Sequence, residues 1–133
     1  MARPKSGGQL TPLELEIMKV LWETGAANVQ TVQDGLPRNR NLTYSSVQTM
    51  LNLLVKKRRA TRELEGRAFY YRPVLERSGA VRMALKDMID RFFGGSAEDL
   101  VMGLIETRQL EPEKLTELHK ACKRRQEERR GRD

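Results

Sequence analysis

Between Leu10 and Pro73 the hydrophobic period changes once, and that change limits the possible folds more than any other feature of the chain. Apolar residues recur at helical spacing until the four consecutive cations Lys56, Lys57, Arg58 and Arg59. Beyond them, residues 61–65 and 68–72 read as two strands around a Gly66-Arg67 turn, closed by Pro73. Upstream, Thr11 is a helix N-cap, Pro12 suits the first helical position, and Glu14 completes a capping box, with Leu10 and Leu15 spaced as a hydrophobic staple. The predicted first helix runs from about 12 to 24, carries Leu15, Met18, Leu21 and Trp22, and stops at Gly25. Asn28 caps a short second helix with Val29 and Val32, ending near Gly35 because Pro37 cannot continue it. After a polar loop over 38–42, Thr43 caps a third helix that reaches about residue 57. Val47, Met50, Leu51 and Leu54 form its buried stripe, and Tyr44, Ser45, Gln48, Thr49 and Asn52 its opposite face.

Three helices followed by a hairpin, within about 65 residues, is the order of a winged helix-turn-helix, whose second paired helix enters the major groove. The expected fold class is mainly α with a small β-hairpin: a winged helix-turn-helix followed by a C-terminal helical dimerisation region. In the second half Val81, Leu85, Met88, Ile89 and Phe92 follow the face of one long helix that stops at Gly94-Gly95. Ser96 and Asp99 cap a shorter helix bearing Leu100, Val101, Leu104 and Ile105. Leu110, Pro112 and Leu115 repeat the staple arrangement, and Leu118 and Cys122 continue the stripe. Stripes this narrow are hard to close into a core within one chain, so a homodimer is expected, with a monomeric helical bundle as the alternative. The organisation expected is a mobile arm over 1–9, a winged-helix domain over 10–75, a helical dimerisation domain over 76–122 and a charged tail over 123–133.

Charge is unevenly placed. Up to Leu75 there are 12 Lys and Arg against 6 Asp and Glu, and beyond it 13 against 12, within a net charge of +7. A basic first half attracts polyanions, nucleic acid or an anionic membrane surface. One cysteine, Cys122, and one histidine, His119, make neither an internal disulfide nor a zinc site. There is no nucleophile-base pair and no glycine-rich phosphate loop, so no enzyme activity, metal or cofactor is expected. Without an apolar run of membrane-spanning length or a signal-peptide start, the chain is placed in the cytoplasm.

Four segments in order carry a resemblance. They are Leu10-Thr11-Pro12-Leu13-Glu14 with Met18 and Val20-Leu21-Trp22; Leu42 to Leu51, reading LTYSSVQTML; Glu65 to Pro73, reading EGRAFYYRP; and Arg91-Phe92-Phe93-Gly94-Gly95-Ser96 with Leu100-Val101. Together they resemble the penicillinase-repressor family (BlaI/MecI, with the copper-responsive CopY branch) over essentially the full length. The resemblance implies a homodimeric repressor that binds a twofold-symmetric operator and leaves it on an inducing signal. For the signal it suggests β-lactam or cell-wall stress, and for a further partner a membrane sensor protease. Three departures stand out. The family often has Gly after the Lys ending the recognition helix, where this chain has Arg58 and Arg59. The antibiotic-responsive members are cut at an Asn-Phe bond whose matching positions are Gly103 and Leu104. The copper branch uses paired cysteines, and this chain has only Cys122.

On the third helix, Ser45, Gln48, Thr49 and Asn52 are the expected base readers: Gln48 can pair with adenine in bidentate fashion and Thr49 can touch a thymine methyl. Thr43 and Ser46, at the helix N-terminus, and Lys56, Lys57, Arg58, Arg59, Arg62 and Arg67 are the expected phosphate contacts. Phe69 and Tyr71 share a strand face and are assigned to the core near Trp22. Dimerisation is assigned to Val81, Leu85, Met88, Ile89, Phe92, Leu100, Val101, Leu104, Leu115 and Leu118. The competing reading is a winged-helix protein-interaction module without sequence-specific DNA binding.

Overall fold

The structure, a computed structural model, describes residues 9–132; most of the expected N-terminal arm and Asp133 lie outside the described residues. Two compact units divide at Asp87 and Met88, inside the fourth helix. The first contains α1 (Pro12–Thr24), α2 (Val29–Gly35), a 3-10 turn (Arg38–Arg40), α3 (Tyr44–Lys56), β1 (Ala60–Glu65) and β2 (Ala68–Pro73). It also holds the start of α4 (Arg77–Phe92), while α5 (Ala97–Glu106) and α6 (Lys114–Arg132) lie in the second unit.

Local chemistry sets the boundaries. Thr11 accepts the Glu14 amide and the Glu14 carboxylate accepts the Thr11 amide at 2.8 Å, closing the capping box on two amides that α1 itself cannot satisfy. Gly25 ends α1 at φ +78. Asn28 and Thr43 cap α2 and α3 through their side-chain oxygens. α3 closes in a Schellman turn: the Arg59 amide donates to the Leu54 carbonyl and the Arg58 amide to that of Val55. This turn puts Arg58 at φ +63, a region in which any side chain but glycine's is crowded. Arg58→Gly is therefore expected to match the parent's stability or exceed it by up to about 1 kcal/mol, and Arg58→Val to lose about 1–2 kcal/mol, read by thermal unfolding.

The core of the first unit lies between α1, α2, α3 and the sheet, where Met18, Leu21, Val32, Val47, Leu51 and Leu54 are fully buried. Ile17 and Val20 are buried as well, although they fall outside the predicted α1 stripe, because α1 packs against α2, α3 and β2 and needs a broad apolar face. Gly35 lets the end of α2 lie close against α1: a Cβ there would lie 3.1 Å from a Val20 methyl. Trp22 is only partly buried and spends its indole N–H on the Leu75 carbonyl, 2.8 Å away.

β1 and β2 pair antiparallel, with Arg62 opposite Tyr71 and Leu64 opposite Phe69. At the tip Gly66 supplies φ +66 and Arg67 does not share it, the sign pattern of a type II′ turn whose twist suits a two-residue hairpin. The sequence showed no partner for the far edge of β2. Ala27 provides one, exchanging both backbone hydrogen bonds with Tyr71, at 2.8 and 3.0 Å. The assignment of Phe69 and Tyr71 to the core divides here. Tyr71 is 0% exposed, whereas Phe69, nearer the tip and past the end of the core, is 36% exposed beneath the Arg62 guanidinium.

In the second unit α5 is capped by Ser96, and Gly94 and Gly95, both at positive φ, follow the end of α4. Gly103 faces the Phe93 ring, which an added Cβ would approach to 3.3 Å. The charged end does not dissolve after Cys122, as its composition implied: α6 continues through Lys123 to Arg132, since Lys, Arg, Gln and Glu are good helix formers.

Candidate nucleic-acid interface

The expected base-reading face is present on α3. Ser45, Gln48 and Thr49 are exposed, and so is Tyr44, at the first position of the helix. Thr43 and Ser46 are tied to the start of that helix. The Thr43 hydroxyl accepts the Ser46 amide at 3.1 Å and donates to the Ser46 hydroxyl at 2.9 Å, so both groups are already organised as a cap. The loop ahead of α3 is held by the Gln33 amide, which donates to the Leu42 carbonyl at 2.9 Å. Arg38 is exposed in the 3-10 turn of that loop, and Arg40 pairs with Glu16. Neither Tyr44 nor Arg38 is among the contacts expected from the sequence. Tyr44 was legible as a member of the polar face of α3; Arg38 stood in an unpatterned loop with no signal to raise it.

The cations among the expected phosphate contacts differ in what they touch. Lys56, Arg58 and Arg67 are exposed, Arg67 at the hairpin tip. Lys57 instead reaches across to the start of α1, with its ammonium 2.7 Å from the Glu14 carboxylate. Arg62 donates to the Asn52 side-chain oxygen at 3.0 Å and stacks on Phe69. Arg59 is half-buried, and its backbone carbonyl accepts from the Val74 and Leu75 amides. Asn52 differs most from the sequence reading. Its oxygen already accepts from Arg62 and from the Tyr71 hydroxyl, at 2.8 Å, so it faces the hairpin and is half-buried.

Glu14 is the buried charge behind this surface, 2% exposed. Burial by itself would raise its pKa. Hydrogen bonds from Lys57 and Thr11, with the Lys57 charge, outweigh that effect and hold the carboxyl below its usual range. A carboxylate kept ionised there anchors the C-terminal end of α3 to the first turn of α1.

The surface thus combines an exposed polar helix face, a hairpin braced beside it and exposed cations at the hairpin tip (Arg67) and the helix end (Lys56 and Arg58). The penicillinase repressor family model matches residues 10–124. The chain belongs to the penicillinase repressor family. Among relatives, the penicillinase repressor of Bacillus licheniformis is 32% identical over 111 residues, 84% of this chain and 87% of the relative. The methicillin resistance regulatory protein MecI of Mammaliicoccus sciuri is 22% identical over 110 residues, covering 83% and 89%. The solution structure of the DNA binding domain of the repressor BlaI is similar at 34% identity and TM-score 0.49, covering 58% of this chain and 93% of that one. This repressor-family chain has the helices and hairpin of a winged helix, and its Arg58 bears a positive φ that a glycine would carry without strain.

The residues assigned to dimerisation lie in helices that have no buried residue among the described residues. On α4, Val81, Leu85, Met88 and Phe92 are exposed and Ile89 is half-buried. In the second unit Val101, Leu115 and Leu118 are exposed, and Leu100 and Leu104 half-buried. Among the described residues no helix is long and apolar enough to cross a membrane.

Proposed function

We propose that this chain is a DNA-binding transcriptional repressor that works in the cytoplasm as a homodimer on a twofold-symmetric operator. The observation that carries the reading is the exposed polar face of α3 beside a basic hairpin tip, in a chain of the penicillinase repressor family. In it Ser45, Gln48 and Thr49 read base edges in the major groove, with Tyr44 at the same face. Lys56, Arg58 and Arg67, with Arg38 ahead of the helix, hold phosphates and supply affinity without sequence choice. The Thr43–Ser46 cap sets the helix N-terminus toward the backbone. Lys57 serves the fold through Glu14.

Release follows an inducing signal, for which β-lactam or cell-wall stress acting through a membrane sensor protease is the scheme that the family suggests. The matching bond here, between Gly103 and Leu104, lies inside α5. There the Gly103 carbonyl accepts the Thr107 amide at 3.0 Å and the Leu104 carbonyl accepts the Gln109 amide at 2.8 Å. Cutting at that bond requires this part of α5 to open first, so release without proteolysis there is the simpler course for this chain.

Selection of bound fragments from genomic DNA near physiological salt tests the reading: a short twofold-symmetric motif supports it, and fragments without a motif favour a protein-docking module instead. On the recovered operator, Gln48→Ala should relax discrimination at one base pair by about 1–3 kcal/mol. Arg67→Ala should weaken all sequences alike and lower the salt slope by about 1. Unchanged binding in both variants would exclude this face.

A further inference from the structure

The Asn52 side chain joins three elements that the DNA-reading surface has to keep in register. Its oxygen accepts from the Tyr71 hydroxyl on β2 at 2.8 Å and from the Arg62 guanidinium on β1 at 3.0 Å, while Asn52 itself belongs to α3. Arg62 and Tyr71 are direct partners across the hairpin, so one atom of α3 holds both strands at one level. Each donor is secured from behind. Tyr71 is 0% exposed and pinned by the two backbone bonds to Ala27; Arg62 stacks 4.2 Å above the Phe69 ring.

We propose that Asn52 and the Tyr71 hydroxyl are positioning residues: a strut that sets the angle of the hairpin against α3 and so delivers Arg67 to its phosphate. The proposal rests on the reading of Arg67 as a backbone contact. The lever is physical. Three strand pairs separate the Arg62–Tyr71 level from the Gly66-Arg67 turn. At about 3.3 Å per residue this is an arm of roughly 10 Å, on which a tilt of about 10° moves the tip by about 2 Å. A hydrogen bond to phosphate does not survive such a displacement. The distal part of the hairpin is open to solvent: Leu64 is 62% exposed and Phe69, 36% exposed, lies beneath the Arg62 guanidinium, so the strut is what braces it against α3. The strut therefore acts on affinity through Arg67 and leaves base preference to Ser45, Gln48 and Thr49.

Tyr71→Phe is the clean probe, since it deletes a hydroxyl that is fully buried and touches no DNA. In the full chain without DNA, amide hydrogen exchange over residues 63–70 is expected to speed up about 5-fold, the equivalent of one net hydrogen bond, with exchange in α1 unchanged. Asn52→Leu should do the same, and Asn52→Asp, which keeps the acceptor, should restore slow exchange. Unaltered exchange in Tyr71→Phe overturns the strut. On the operator, Tyr71→Phe should weaken all sequences about 5-fold and lower the salt slope, and the Tyr71→Phe/Arg67→Ala double variant should bind like Arg67→Ala alone. Additive losses overturn the route through Arg67. If Arg67→Ala by itself changes neither affinity nor slope while exchange responds as expected, the strut stands and the assignment of the hairpin tip to phosphate falls.

Discussion

A chain carrying Leu85→Glu and Phe92→Glu is expected to be monomeric and to bind its operator at least about 100-fold more weakly than the parent, because two half-site readers are no longer linked. α4 has no buried residue, yet Val81, Leu85, Met88 and Phe92 repeat along one side of it, and Phe92 is 71% exposed. The second unit has the same character, with no buried residue in α5 and with Val101, Met102, Leu115 and Leu118 exposed. A helix whose apolar stripe is left exposed gains little from folding alone, and a second copy would remove that stripe from water at about 25 cal/mol per Å². Two glutamates at the centre of such a contact face each other across the twofold axis and oppose it. Both positions are exposed in the single chain, so the thermal unfolding of the winged-helix unit should hardly change. Light scattering and operator titration on the same sample check both halves. A retained dimer mass would place the interface elsewhere, and a lost dimer with unchanged affinity would remove avidity from the mechanism.

The second large effect concerns the link between Glu14 and Lys57. Lys57→Met is expected to destabilise the winged-helix unit by about 2–4 kcal/mol at neutral pH, since it leaves a carboxylate that is 2% exposed without its counter-charge. Its exposed end makes the loss smaller from the other side: Glu14→Gln keeps an acceptor for the Thr11 amide and frees Lys57 into water, at a cost of about 1–2 kcal/mol. The two substitutions together should cost less than their sum. The pH dependence follows from the depressed pKa of Glu14. Its contribution is fully present above the pKa of the unfolded chain, near 4.5, and disappears as pH falls through the lower folded value. Denaturant titrations at neutral pH and below about pH 4 should therefore show the parent losing stability on acidification and Glu14→Gln losing less. Equal acid sensitivity in the two would show that the titrating group lies elsewhere.

Much of this architecture could be read along the chain, because the signals were local. A cap three residues from its amide, a stripe with the helical period, and a glycine at a turn each act over a few residues, and so the boundaries of α1, α2 and α3 and the Gly66-Arg67 turn agree with their expectation. The exposed face of α3 was legible in the same way, as the complement of the Val47, Leu51 and Leu54 stripe. Lys57 and Asn52 were not. Each carries the chemistry of a DNA contact, and what each touches is set by residues 43 and 19 positions away in the sequence.

The amino-acid sequence by itself determined the order of elements, the winged-helix class, the basic first half and the unpartnered stripe of α4, since these follow from composition and period. Tertiary structure alone decided that Lys57 belongs to Glu14, that Asn52 faces the hairpin, that Ala27 forms the far edge of the sheet, and that Phe69 lies outside the core. The reason is the same in each case: a side chain of given chemistry takes the partner that packing brings within about 3 Å, and that distance is set by the whole fold, not by neighbours in the chain.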